Sequence, residues 1–217
     1  MEKMRIYFKQ LELGPLQNFV YLIGSLETRE AAVVDPAWDV SRILQTAAQD
    51  EMRITMALVT HTHFDHINGV KELVELTDAK VILHRRETDN LPIQPSSIRA
   101  VEGGDQVSLG SLTVSFLHTP GSQCMTFADR LISGDTLFVG GCGRCDLPGG
   151  DPEALHRSLG RLSRLDERMV VHPGHHYAPE PDSTIRQERA YNPFLRAGSS
   201  EEFLSLVGRV KRRRPDG

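Results

Sequence analysis

Apolar and polar positions along the chain follow two alternating periods. Short apolar runs closed by turn residues come first: IYF at 6–8, NFVYLI at 18–23 and AAVVD at 31–35. These read as strands of a meander. The period then changes. DVSRILQTAAQ at 39–49 places Val40, Ile43, Leu44 and Ala47 at helical spacing, and ITMALVT at 54–60 is a buried strand. Residues 66–77 set Val70, Leu73, Val74 and Leu76 on or near one helical face, and KVILH at 80–84 is again a strand. The second half repeats the theme, with strands LTVSFL (112–117), CMTFA (124–128) and RLISGD (130–135). DPEALHRSLGRL (151–162) is a helix with Asp151 as N-cap and Pro152 at its first position, the residue types that helix starts favour. MVVH (169–172) is a strand, and 183–190 and 200–211 are helical. Strands followed by strand–helix alternation, twice over, predict an α/β chain. Its two β-sheets are sandwiched by helices in a single domain, spanning 1–196, with a C-terminal helix and basic tail at 197–217.

Composition narrows the functional classes. At 217 residues the chain is long enough for a sizeable core, within the range of one α/β domain. Its net charge of −4 argues against nucleic acid as the main partner, because phosphate binding wants a basic surface. The opening MEKMRIYFKQ has no apolar signal-peptide region, and no apolar run approaches the roughly 18 residues of a membrane span. A cytoplasmic protein without membrane contact is therefore expected. Cys124, Cys142 and Cys145 are too few for a disulfide framework in a chain of this size. The C-x-x-C at 142–145 lacks a thioredoxin-like context or a second Cys pair, so it reads as two small residues in a Gly-rich loop. The basic run Lys211-Arg212-Arg213-Arg214 reads as a solvated tail.

Candidate chemistry is concentrated in THTHFDH at 60–66. It follows a buried strand and precedes a helix. His61 and His63 are two apart and point the same way in extended backbone. Asp65 and His66 fall on the turn into the helix and can serve a second, nearby spot. Imidazole and carboxylate are the usual ligands of borderline divalent metals. Composition alone would place three His and an acid so on the order of 10⁻³ times per chain. His118, Asp135 and His175 each follow an apolar strand and meet a Gly-bearing turn, where loops build sites on α/β scaffolds. They supply the ligands still missing for two metals. His84, His156, His172 and His176 receive a structural reading.

HTHFDH, HTPGS (118–122), SGDTLF (133–138) and HPGHHY (172–177), in that order and at those spacings, resemble the metallo-β-lactamase superfamily over roughly residues 4–196. The resemblance implies an αββα sandwich with metals between the edges of its two sheets. It implies a first site of His61, His63 and His118, a second of Asp65, His66 and His175, and Asp135 bridging them. Asp65 and Asp135 are the implied catalytic carboxylates. One departure stands out. Many relatives carry TPG immediately before the His that matches His118, and here Phe116-Leu117 stands there, a loop about four residues shorter.

Two divalent ions, zinc above all, imply a metallohydrolase with a metal-bound hydroxide as nucleophile and no Ser or Cys nucleophile. GGCGRCDLPGGD (140–151) and ERAYNPFLR (188–196) resemble segments shared by glyoxalase II (hydroxyacylglutathione hydrolase) and persulfide dioxygenases. That branch implies a small glutathione-derived substrate contacted by Arg144, Tyr177 and Arg196. Asp146 stands where glyoxalase II tends to place an aromatic. The leading expectation is a thioester hydrolase. The alternative is a mononuclear dioxygenase with one Fe²⁺ on His61, His118 and Asp135, a 2-His-1-carboxylate set.

Overall fold

The computed structural model describes residues 5–145 and 150–213, the last five as backbone only. Asp146, Arg214 and the side chains of Lys211, Arg212 and Arg213 lie outside the described residues. One six-stranded sheet has the order β1 (Ile6–Leu13), β2 (Asn18–Ser25), β3 (Glu30–Val34), β4 (Arg53–Leu58), β5 (Lys80–His84), β6 (Ile98–Val101). β1, β2 and β3 are antiparallel neighbours, whereas β3 through β6 run parallel. The second half builds β7 (Gln106–Leu109), β8 (Leu112–Thr119), β9 (Ser122–Phe127) and β10 (Arg130–Gly134). A short ribbon follows, β11 (Leu137–Phe138) with β12 (Gly141–Cys142), and then β13 (Val170–Pro173) and β14 (Ser183–Thr184). The second sheet is ordered β14-β13-β10-β9-β8-β7, with β10 and β13 parallel.

Alternation along the strands sorts the core into three layers. In β2, Phe19, Tyr21 and Ile23 face the second sheet, where they meet Val114, Phe116, Met125, Phe127 and Ile132. Val20 and Leu22, one register off, face the other way. There they pack with α1 (Val40–Gln49) through Val40, Ile43 and Ala47, and with α3 (Val70–Thr77), which follows the single turn α2 (Phe64–Ile67), through Val70 and Leu73. On the far side, Leu131 and Val171 pack with α4 (Pro152–Leu162) through Leu155, Leu159 and Leu162. This layer also takes in Ile185 of α5 (Ile185–Tyr191), α6 (Pro193–Arg196) through Phe194 and Leu195, and Phe203 of α7 (Ser200–Arg213). Strands covered on both faces are hydrophobic throughout, which is why NFVYLI carries no polar alternation. The result is the expected αββα sandwich. No helix among the described residues is long and apolar enough to cross a membrane.

Caps begin the helices as their sequences predict. Asp39 accepts from the Arg42 amide and Asp151 from the Ala154 amide, each at 2.9 Å, satisfying N–H groups that the first turn leaves open. The helix predicted over 66–77 is instead two pieces, broken at Asn68-Gly69. A Cβ on Gly69 would lie 2.7 Å from Val40 Cγ2 and 3.0 Å from the Pro36 carbonyl, so the chain passes there only as glycine. The break pins this segment to the 35–38 loop: the Gly69 amide donates to Pro36 and the Trp38 amide to Asn68 Oδ1. β6 and β7 went unpredicted because IRAV and QVSL are four residues each and half exposed.

Candidate metal centre

Four strand ends converge on one spot, from the parallel pairs β3/β4 and β10/β13. Asp35 follows β3, Thr60 to His63 follow β4, Asp135 follows β10 and His175 follows β13. Gly134, just before Asp135, has φ +48°, and a Cβ there would strike the Thr60 side chain at 2.8 Å. Glycine therefore permits both the left-handed turn and the close approach of the two loops.

Three imidazoles are oriented by their outer nitrogens. His66 Nδ1 donates to Asp35 Oδ2 at 2.9 Å. His175 Nδ1 donates to the Leu16 carbonyl at 2.9 Å. The Thr60 hydroxyl donates to Asp35 at 2.7 Å and so accepts from His61 Nδ1 at 2.9 Å. Neither a carbonyl nor a carboxylate can donate, so these bonds leave the lone pairs on Nε2 of each ring. Those lone pairs aim at one another. His66 Nε2 and His175 Nε2 are 3.1 Å apart, a repulsive contact unless a cation or a proton sits between them.

Carboxylates complete the arrangement. Asp65 Oδ2 lies 3.6 Å from His66 Nε2 and 3.4 Å from His175 Nε2. Asp135 reaches His66 with Oδ1 and His175 with Oδ2, each at 3.5 Å, and His61 Nε2 with Oδ2 at 3.7 Å. His63 Nδ1 is 2.9 Å from His61 Nε2. Three donor groups have their ligand atoms within 4.8 Å of one another: Asp65–His66–His175, His61–His63–Asp135 and Asp35–His61–His66. In the last, Asp35 is already engaged by Thr60 and His66 Nδ1. Asp135 Oδ1 is buried without a hydrogen-bond partner. Gly174 leaves it room, since a Cβ there would lie 2.4 Å from that oxygen. An orphaned buried oxygen, opposed lone pairs and an imidazole–carboxylate set fit a divalent metal.

The electrostatics agree. Burial would raise the Asp135 carboxyl, but its interaction with His175 and the charges of His66 and His61 hold it well below the usual range. Burial would lower His66, but the Asp35 hydrogen bond and the charges of Asp35, Asp135 and Asp65 lift it to about 9. The same three carboxylates would attract any positive charge placed here. His61 falls to about 4, chiefly through burial and then through its neighbour His66. Metal binding to the folded state should therefore stabilise it. With free zinc at 100 times Kd the gain is about 2.7 kcal/mol, so chelation should lower Tm by about 5–11 °C for a chain of this size. A melting curve indifferent to chelator would count against the site.

His118 is not brought to this cluster. β8 and β9 pair as far as Thr119↔Ser122, so Pro120-Gly121 is a two-residue turn. His118 instead stacks on His84, ring centres 4.1 Å apart at 12°. Strand-end position suggested a ligand, but the short hairpin keeps the residue within the ladder, where pleat and not loop decides its direction. Sequence reading missed Asp35. It accepts from the Thr60 amide, the Thr60 hydroxyl and His66 and so sets the tautomer of two rings. Asn18 was missed as well: it donates to Asp65 Oδ2 at 2.9 Å while accepting from the Trp38 indole at 2.8 Å.

Beside the cluster lies a cavity of about 500 Å³, reached by His63, Asp65, Asp135 and His175 and also lined by Phe138, Arg144, Tyr177 and Phe194. Tyr177 stacks on His175 at 4.5 Å and 9°. Arg144 and Tyr177 thus share this cavity with the cluster. Arg196, at the end of α6, does not line this cavity. Cys142 is also on its wall, with its thiol pushed up to about 12 by burial and by Cys145.

Comparison with known proteins places this geometry. Residues 13–175 match the sequence profile of the metallo-beta-lactamase superfamily. The chain is 36% identical over 216 residues to a hydroxyacylglutathione hydrolase of Anaeromyxobacter dehalogenans, with 82% of each chain covered. It is 29% identical over 194 residues to PksB of Bacillus subtilis, a probable polyketide biosynthesis zinc-dependent hydrolase, covering 87% of this chain and 86% of that one. The crystal structure of ETHE1 from Myxococcus xanthus superposes with a TM-score of 0.85 at 32% identity, covering 96% of this chain and 92% of the other.

Proposed function

The chain belongs to the metallo-β-lactamase superfamily, and from that premise we propose that it is a hydrolase of glutathione-type thioesters. The carrying observation is a donor set of His66, His175, Asp65 and Asp135 that opens onto a cavity walled by Arg144 and Tyr177. The likeness to a hydroxyacylglutathione hydrolase supports the choice of thiol.

When bound, a divalent ion supplies a Lewis acid and brings the pKa of a water down to roughly 7. The chain's own residues do the rest. Asp35, directly at His66 and through Thr60 at His61, fixes the outer nitrogens as donors and so leaves Nε2 as the atom each ring offers to the ion. Asp135, which lines the cavity and reaches His61 and His175 with Oδ2, would orient the attacking water. Phe138, Tyr177 and Phe194 line the cavity with rings and exclude bulk water from the acyl chain. A thiolate is a good leaving group, so no protein acid is needed to complete C–S cleavage. Cys142 is held as a neutral thiol at neutral pH and is no nucleophile.

Arg144 serves binding. A charge-assisted hydrogen bond contributes roughly 1.5–3 kcal/mol, so Arg144→Ala should raise KM about ten- to a hundredfold and spare kcat. A substrate lacking the terminal glycine carboxylate should erase that difference. If it does not, the glutathione assignment loses its support. Arg196, away from the cavity wall, should show a smaller effect.

The competing reading, an iron persulfide dioxygenase on His61, His118 and Asp135, shares His118 with the first site of the hydrolase, so the position of that residue does not separate the two. The deciding experiment is metal analysis of protein purified without added metal, together with assays on a 2-hydroxyacylglutathione, an acyl-CoA and glutathione persulfide. Zinc with glutathione thioester cleavage is the expected result. Iron with oxygen uptake on the persulfide would overturn it.

A further inference from the structure

A buried polar atom without a hydrogen-bond partner is costly, and such atoms can mark places that an ion or a ligand completes. Among the described residues, only two of them, Asp135 Oδ1 and Ser122 Oγ, belong to side chains that line the cavity. The first is part of the metal centre described above. The second has no role in it so far.

The backbone fixes where that hydroxyl lies. Thr119-Pro120-Gly121 leads directly into Ser122, the first residue of β9. Thr119 and Ser122 close the β8–β9 ladder, and the Thr119 hydroxyl donates to the Ser122 carbonyl at 2.8 Å. One residue on, the Gln123 amide donates to the Thr60 carbonyl at 2.8 Å, and its side chain donates to the Val59 carbonyl at 3.1 Å. These bonds dock the start of β9 on the stretch that leads into His61 and His63. From the other side comes Gly134. A Cβ there would meet Ser122 Oγ and Thr60 Oγ1, each at 2.9 Å. Glycine thus leaves room for the serine oxygen beside the residue that precedes Asp135.

His61, His63 and Asp135 form the donor group on this side, and His63, Asp135 and Ser122 share the cavity wall. The other group that contains His61, with Asp35 and His66, has no member on that wall. Its carboxylate is occupied by Thr60 and His66 Nδ1. A hydroxyl carries two acceptor lone pairs. Its oxygen is a neutral donor, outside the imidazole, thiolate and carboxylate set that zinc prefers.

We propose that the Ser122 hydroxyl is the fourth donor of the His61–His63–Asp135 position. The centre is then asymmetric. The ion on this side is held partly by a neutral oxygen and more weakly than one on Asp65, His66 and His175. This rests on the metallohydrolase reading for the presence of a metal, but not on its substrate.

Cobalt(II) tests it, because a thiolate bound to cobalt absorbs strongly in the near ultraviolet. All variants carry Cys142→Ala and Cys145→Ala, which removes the native thiols of the cavity wall. Titrated past two equivalents of cobalt, Ser122→Cys should develop the thiolate absorption, and the parent and Ser122→Ala should not. By chelator competition, Ser122→Ala should hold its weaker-bound cobalt at least about tenfold less tightly, the lower end of what even indirect ligand partners cost. Cobalt bound by Ser122→Cys without that absorption would overturn the proposal. Should that variant fail to fold, Ser122→Ala decides, and an unaltered affinity for both ions overturns it. A parent chain that binds no cobalt refutes the metal reading, and this inference with it. Thiolate absorption without thioester cleavage in the zinc-loaded protein refutes the hydrolase reading alone.

Discussion

Asp35→Asn should weaken zinc binding about 10–100-fold, although Asp35 is in neither of the two donor groups that border the cavity. Residues that orient ligands through hydrogen bonds typically carry that much affinity. Asp35 accepts three hydrogens, from the Thr60 amide, the Thr60 hydroxyl and His66 Nδ1. An amide offers one acceptor oxygen and sets an NH₂ against the remaining donors. To relieve that clash His66 must move its proton to Nε2, the atom that faces His175 and the carboxylates. The lone pair is then lost to the metal. Asp35→Ala should be worse for folding, because each buried donor left unpaired costs about 1–3 kcal/mol. Competition with a chromophoric chelator measures the first effect and thermal melting the second. Unaltered zinc affinity in Asp35→Asn would refute the tautomer argument.

Asp135→Ala should lower turnover by at least about 100-fold, the upper end of what even indirect ligand contacts cost. Both donor groups meet at this carboxylate, and it lines the cavity beside them. Cys142→Ala and Cys145→Ala should change turnover little, since neither cysteine is disulfide-bonded, Cys145 is buried and the Cys142 thiol is pushed up to about 12. A cysteine variant that keeps its metal yet loses turnover would revive redox chemistry at the C-x-x-C.

Much of this could be read from the chain. Strands buried on both faces announce themselves as unbroken apolar runs, and the helices as single apolar faces with an acidic cap. The ligand-bearing stretch 60–66 was legible because four donors lie within one loop. What escaped depends on separation along the chain. Asp35 ends AAVVD much as Asp135 ends RLISGD, yet its partners Thr60 and His66 lie 25 and 31 residues away, and nothing local distinguishes it from any acid after a strand. His118 was misplaced for the converse reason. Its local signal, a histidine after an apolar run, was sound, but its direction is set by a register four residues downstream. Gly69 broke a helix whose periodicity was intact because the obstruction, Val40 and Pro36, belongs to another element.

Trp38 is the single tryptophan of the sequence. Its indole N–H donates to Asn18, whose amide in turn holds Asp65 Oδ2, and its ring meets Phe64 edge-on at 6.2 Å. The chromophore is thus two hydrogen bonds from an oxygen of the proposed metal centre. When a cation draws on that oxygen, the polarity felt by the indole changes with it. Emission from the native protein should accordingly shift as zinc is added and return on chelation, with no dye or label. Asn18→Ala should silence that optical signal while zinc still binds, turning one side chain into the switch of a built-in fluorimeter.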